Sequence, residues 1–376
     1  MLKIDEVRQI ILIIVLCSVL ITCTNQTKPP SIEDNFGWTR IDLDGKIFPG
    51  AISSDRFYVA YENGVAIFED ITSPPNIDVK IDIDNQHNIV IYAPPWITKK
   101  FIAYHPPSRS YSLTISDFID NNSIRVGSSN FDDLEDDYLI HGVIQGFNLD
   151  SDKSIYRFYS LMTKIGYICP LYITYFDVYL DNDNNISLNN LGCWEFLSNN
   201  AHLLASSTAI RYKNMVLLSY FTPITTEPGL AVLYDDLSFK NLDQSPLTYV
   251  QSFWVWNEVI YAQKMLAETV YSSEDGENWN YFGNFDMEIL CGVEVDNYLF
   301  FYNIQSGFRS IYFLEEVNGD IYVYQVPSNF TERINSINRY QDYLVVTTTS
   351  AIYYKLYDEL INKRTFQRIL NIGEKK

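Results

Sequence analysis

Histidine and cysteine are scarce in this chain, and basic residues are outnumbered. Four histidines, His87, His105, His141 and His202, stand singly among 376 residues, and no Cys/His cluster has zinc-ligand spacing. No CxxC pair occurs, so no metal site is expected from these residues. Lys and Arg number 27 against 47 Asp and Glu, a formal net charge of −20. Such a surface repels phosphate backbones and acidic glycans, so no nucleic-acid partner is expected. G-x-S-x-G, H-E-x-x-H and the P-loop are missing, which removes support for serine-hydrolase, zincin and nucleotide-binding readings. Beyond the leader, no stretch except 355–365 keeps apolar residues at helical spacing for more than two turns. Helical layers are therefore not expected.

Apolar residues are plentiful. They make up 47% of the chain, with 29 Tyr and 22 Phe, and Ile and Val are common, a composition that favours strands around a full core. One uninterrupted apolar run exists, IILIIVLCSVLI at 10–21. As a helix it would span about 18 Å, short of the ~30 Å hydrocarbon core of a bilayer. Its length suits the apolar region of an export signal. The run ends in Leu20-Ile21-Thr22-Cys23 ahead of the polar stretch TNQTKPPS. This resembles a bacterial lipoprotein signal, which implies lipid on the Cys23 sulfur and a protein facing out of the cytoplasm. It departs from the usual pattern at Thr22, and plain secretion or an uncleaved anchor are the alternatives. The expected organisation is a signal at 1–22, a tether at 23–30 and one domain at 31–376. Of the other cysteines, Cys169 and Cys193 either pair or stay reduced, and Cys291 reads as a small buried hydrophobe.

A repeat runs through the domain. DRFYVAY (55–61), KKFIAY (99–104), KSIYRFY (153–159), KNMVLLSY (213–220), NEVIYAQ (257–263), DNYLFFY (296–302) and QDYLVVT (341–347) each set a polar pair before an aromatic-rich apolar strand. The units recur every 40–60 residues or so, and each reads as four short strands. In the first unit these are AISS, RFYVAY, VAIFED and NIDVKIDID; in the last they are INSINRY, DYLVVTT, AIYYKLYD and RTFQRIL. The pattern predicts an all-β fold, a seven-bladed β-propeller of four-stranded antiparallel blades, with six or eight blades as alternatives.

Within the repeat, YSSEDGENWNYF (271–282) forms a polar knot. Ser273, Asp275, Gly276 and Trp279 resemble the Asp-box, or BNR repeat, of sialidase-like propellers. The resemblance implies a structural turn between the third and fourth strands of a blade: Asp accepts backbone N–H bonds, Gly takes positive φ, and Trp covers the hairpin. A second copy is suggested by SIEDNFGW, which sets Ser31, Asp34 and Trp38 in register with Ser272, Asp275 and Trp279. It would make residues 31–45 the outer edge of a blade completed by the C-terminal strands. Trp194 is a candidate third box.

The family's hydrolytic site is not carried over. Where the sialidases place the first arginine of their triad, this chain has Lys46-Ile47-Phe48-Pro49, and its twelve arginines lack diagnostic neighbours. No catalytic residue is assigned. A propeller glycosidase with a central carboxylate pair and a structural subunit of an envelope assembly remain alternatives to a binding or scaffold module for a protein or glycan. No cofactor is expected. Asp181, Asp183 and Asn185 place oxygens at alternate positions as calcium loops do, yet Ile186 and Gly192 break the EF-hand pattern, and a solvated turn is the competing reading. FDDLEDDY (131–138) reads as an exposed loop. Trp254 and Trp256 share one strand face and are expected to pack between blades, with glycan or partner contact as the alternative.

Overall fold

Four of the seven polar pairs of the repeat are hairpin turns among the described residues. In the computed structural model, Trp256 pairs with Val259 across Asn257-Glu258, and Val295 with Tyr298 across Asp296-Asn297. Tyr340 pairs with Tyr343 across Gln341-Asp342, and Tyr212 with Met215 across Lys213-Asn214. Asn257, Glu258, Asp296, Gln341 and Lys213 take φ between 50° and 61°, the left-handed geometry that a two-residue turn needs to match strand twist. Residues 36–370 are described, apart from 54–55, 62–63, 80–95, 98–100, 105–111, 118–122, 128–129, 132–137, 150–154, 165–171, 182–184, 196–201, 204–208, 223–226, 243–244, 248–249, 265–267, 286 and 304–306.

Each turn joins the first and second strands of an antiparallel sheet. In chain order the sheets occupy residues 47–79, 96–127, 138–195, 202–241, 250–284, 290–326 and 334–356. The first strand of each sheet contacts the first strand of the next, and the last, Ile334–Tyr340, returns to Ile47–Ser53. This is an all-β β-propeller.

Burial follows the radius. Tyr298–Tyr302 (YLFFY) and Tyr343–Thr348 (YLVVTT), both second strands, are buried at every position but the first. They read as continuous apolar runs because neighbouring sheets cover both faces. Asn280–Asn284, an outermost strand, buries one residue of five. Trp254 and Trp256 are each 1% exposed, and both lie in the core between sheets 250–284 and 290–326. That bears out the packing reading.

Six blades, the sheets at 47–79, 138–195, 202–241, 250–284, 290–326 and 334–356, stand in place of the expected seven equal four-stranded ones. Six sheets are blades with packed, described cores. The sheet at 96–127 begins with a two-residue strand, and among the described residues only its Val126 enters a core. Two of the six carry a fifth strand. One of these is a second correction. RTFQRIL, expected as the outer strand of the last sheet, forms Thr365–Leu370 and pairs instead with Asp320–Val326, on the outer edge of sheet 290–326. The helix Tyr357–Asn362, within the one segment of helical spacing, carries the chain across.

The outer place in the last sheet is filled by the N-terminal strand. Thr39–Asp42 pairs with Ala351–Leu356, from Thr39 opposite Tyr354 to Asp42 opposite Ala351. Trp38 leads into it, 5% exposed, with its indole N–H donating to the Pro327 carbonyl at 3.0 Å and its ring edge-on to Phe330 at 5.1 Å. Arg40 reaches Glu332 at 3.2 Å, and Glu332 also accepts the Tyr353 hydroxyl at 3.1 Å. The Lys355 ammonium donates to the Phe36 carbonyl. Ring closure thus depends on four residue pairs of ladder and a buried indole. Trp38→Ala is expected to cost about 3–5 kcal/mol in urea unfolding, the range for truncating a large buried aromatic. A loss below about 1 kcal/mol would show that Trp38 does not anchor the closure.

Candidate functional site

The knot at 271–282 joins strands Thr269–Ser273 and Asn280–Asn284, the third and fourth of their sheet. Asp275 organises it. Its Oδ1 accepts the backbone N–H of Glu277 at 2.9 Å and of Asn278 at 2.8 Å, and the Ser273 hydroxyl at 2.9 Å. Its Oδ2 accepts the Asn278 amide at 2.7 Å. Gly276 donates its N–H to Ser273 Oγ at 2.8 Å, and Trp279 donates its indole N–H to the Gly276 carbonyl at 3.1 Å. Gly276 is required on two counts. Its φ is +79°, and a Cβ there would lie 2.5 Å from Met215 Sδ. Trp279 is 8% exposed in a core with Tyr212, Met215 and Phe253. Desolvation would raise the Asp275 pKa, but bonds from Asn278, Glu277 and Ser273 outweigh it and hold the carboxyl well below the usual range.

The turn is docked on the preceding sheet. Tyr212 donates its hydroxyl to the Glu274 carbonyl at 2.8 Å and to the Glu258 carbonyl at 2.7 Å. Glu277 receives the Tyr234 hydroxyl on one oxygen and the Lys240 ammonium on the other. The Lys240 bond, then that of Tyr234, lowers the Glu277 pKa. Beside this contact opens a cleft of about 590 Å³, bounded by Lys240, Asn241 and Ser245 on one side and by Asn278, Trp279 and Asn280 on the other. The Oδ1 of Asn241 is buried and has no hydrogen-bond partner among the described residues.

The ring centre is stitched by neutral groups. Gly50 donates its N–H to Ser336 Oγ at 2.9 Å, Asn335 its amide to the Ile47 carbonyl at 2.8 Å, and Ser252 its hydroxyl to the Ile289 carbonyl at 2.6 Å. Gln263 bridges the Met287 carbonyl and the Ile289 N–H, both at 2.8 Å. Among the described residues of the first strands, Glu294 is the one carboxylate, and it is exposed. These strands therefore build no carboxylate pair. Ile47, at the position aligned with the sialidase arginine, is fully buried in apolar core.

Other expected residues fall as follows. Cys23, Ser31, Asp34, Asp183, Cys169, His87 and His105 lie outside the described residues, as do the side chains of Cys291, His141 and His202. Trp38 sits one residue before an outer strand, as Trp279 does. Trp194 does not: it lies inside the outer strand Ile186–Glu195, its ring 4.6 Å from that of Tyr175, which corrects the third-box reading. Asp181 accepts the Asn185 N–H at 2.8 Å and the Asn185 amide at 3.0 Å, closing its own turn. No group of three His, Cys, Asp or Glu side chains suited to a metal occurs among the described residues.

Sequence reasoning missed a buried ion pair. Arg157 and Asp177, opposite each other on adjacent strands, meet in a two-point contact at 2.7 and 2.9 Å with 6% and 2% side-chain exposure. Asn190 donates to Asp177 at 2.8 Å, and Arg157 also donates to the Asp235 carbonyl of the next sheet at 2.5 Å. No local motif announces it, because its parts are scattered through the repeat.

Comparison with known proteins adds the fold and no family. No family model matches the chain, and no curated protein matches its sequence. Among solved structures it is similar to an inactive variant of virginiamycin B lyase from Staphylococcus aureus with quinupristin, at 9% identity and TM-score 0.53, covering 84% of this chain and 98% of that one. It is also similar to PorZ, a surface component of the type-IX secretion system of Porphyromonas gingivalis, at 11% identity and TM-score 0.51, covering 88% of this chain. A third is the extracellular domain of a one-component system from B. thetaiotaomicron, at 10% identity and TM-score 0.50, covering 85% of this chain. The match spans 39% and 40% of the latter two chains.

The Asp275 turn has a pH signature. Because its folded pKa is depressed, its stabilisation is complete above the unfolded value, near 3.8, and is lost as pH falls towards the lower folded value. Asp275→Asn is expected to flatten the acid limb of the stability–pH curve measured by denaturant unfolding. An unchanged acid limb would remove Asp275 from the account. Gly276→Ala should destabilise by about 1–3 kcal/mol through strain and overpacking.

Proposed function

We propose that this chain is a lipid-anchored β-propeller of the bacterial cell envelope whose role is to bind a protein or glycan partner. The cleft carries this reading. Glu277 is tied to Lys240 and Tyr234, and Asp275 is consumed by its own turn, so both carboxyls beside the cleft are held ionised. A glycosidase acid needs the opposite, a carboxyl kept protonated near neutral pH. The single exposed carboxylate among the first strands gives no support for such a pair at the centre. We read Ser273, Asp275, Gly276 and Trp279 as an Asp-box with a structural role, and Ser31, Asp34 and Trp38 as a second copy split by ring closure.

The envelope assignment is supported by the apolar run at 10–21 ending at Cys23, and two solved propellers of similar fold are extracellular or surface proteins. On this reading residues 1–22 are removed, 23–30 form the tether, and 31–376 form the propeller. No cofactor is required, calcium at Asp181, Asp183 and Asn185 included. A second reading, a structural subunit of an envelope assembly, draws on the outer edge of Thr365–Leu370, which pairs with no further strand among the described residues and where Phe366 is 52% and Ile369 47% exposed.

Labelled palmitate is expected to be incorporated into the wild-type chain in bacteria and not into Cys23→Ala, which should leave the membrane fraction. Equal labelling of both would refute the anchor. Cleavage of any aryl glycoside by the purified chain would refute the binding role.

A further inference from the structure

Resting on that binding role, we infer that the cleft between the strand Phe239–Asn241 and the Asp275 turn takes a short, uncharged oligosaccharide. Its volume of about 590 Å³ lies within the range of about 300–1,000 Å³ usual for small-molecule sites. Besides the Lys240–Glu277 pair, its polar lining comes from Asn241, Asn278, Asn280 and Ser245, which carry amides and a hydroxyl. Each of these groups can donate and accept, as a sugar hydroxyl does. Asn278 gives its amide N–H to Asp275. Asn241 lines the cleft, and its Oδ1 is buried without a partner among the described residues, so a turn of the side-chain amide is needed to bring that oxygen to a ligand donor and satisfy it.

Charge selects against ionic ligands. Lys240 and Glu277 neutralise each other across the cleft, and Asp275 faces its own backbone. Among the described residues lining the cleft, no unpaired positive group is offered to a carboxylate or phosphate, and the −20 chain repels both. Leu242, Pro246 and the edge of Trp279 supply the apolar surface that the C–H faces of a sugar ring require. The two walls come from different sheets, and the Lys240–Glu277 bridge joins them.

The test is saturation-transfer NMR on the full chain with neutral oligosaccharides of hexoses and N-acetylhexosamines, alongside sialylated and uronate-bearing counterparts. The best ligand is then titrated by calorimetry into wild type, Asn241→Leu and Asn280→Ala. Neutral sugars are expected to bind and acidic ones not to. Asn241→Leu should weaken binding about tenfold or more with the melting temperature held or raised, because it removes a buried acceptor rather than a contact of the fold. Asn280→Ala, at an exposed position, should weaken binding severalfold and keeps the test open if the first variant folds poorly. Binding that survives both substitutions, equal binding of acidic sugars, or no binding of any sugar would overturn the assignment. A protein ligand blocked by Asn280→Ala, with no sugar bound, would overturn the sugar and leave the binding role standing. Glycoside cleavage would overturn the role itself.

Discussion

A ring of sheets must close, and here closure rests on one short antiparallel ladder. Thr39–Asp42 supplies the outer strand of a sheet whose other three strands lie some three hundred residues later. An open ring would expose two sheet faces and two rows of unpaired backbone groups. The closing strand is too short to hold by hydrogen bonds alone, since each contributes only about 1 kcal/mol net. Trp38, Arg40 and Lys355 supply the rest, an indole in a core and charges placed on carboxylate and carbonyl acceptors. Residues near position 40 therefore govern packing throughout the ring, because every blade leans on its neighbour.

Packing on both faces also decides where function can sit. Inner and second strands are committed to cores and largely to neutral hydrogen bonds between sheets, as at Gly50, Ser252 and Gln263, with the Arg157–Asp177 pair as the charged exception. Gly50 shows how little room remains: a Cβ there would lie 2.5 Å from Phe57. Polar side chains with spare bonding capacity are left to the outer strands and turns. The cleft beside Asp275 arises there, because a rigid turn is pressed onto the edge of the previous sheet and the two surfaces do not fill the space between them.

Much of this was legible in the residues. The polar pairs before each apolar strand were visible as a repeat, and the four described in full are left-handed turns, since few residue pairs tolerate that geometry between buried strands. The Asp275 turn was legible because all its bonds are local, within Ser273–Trp279. What was not legible depends on which edge meets which. RTFQRIL has a strand pattern, but nothing in it distinguishes the outer edge of one sheet from that of the next. Trp194 and Trp279 look alike in composition, yet one lies in a strand and the other before it. The cleft joins Lys240 to Glu277, and the ion pair joins Arg157 to Asp177, Asn190 and Asp235; such meetings are set by the packing of sheets and leave no spacing to read.

The last strand has a consequence of its own. Having left the third strand of the final sheet, the chain crosses through the helix Tyr357–Asn362 and stitches itself to the sheet before, while the first strand stitches itself to the final sheet from the other end. Chain ends are usually where a fold frays. In this ring both described ends are sewn into ladders, one on each of two neighbouring sheets, so each of those sheets is held at its outer edge by a strand from the opposite end of the chain or from beyond the ring's last turn.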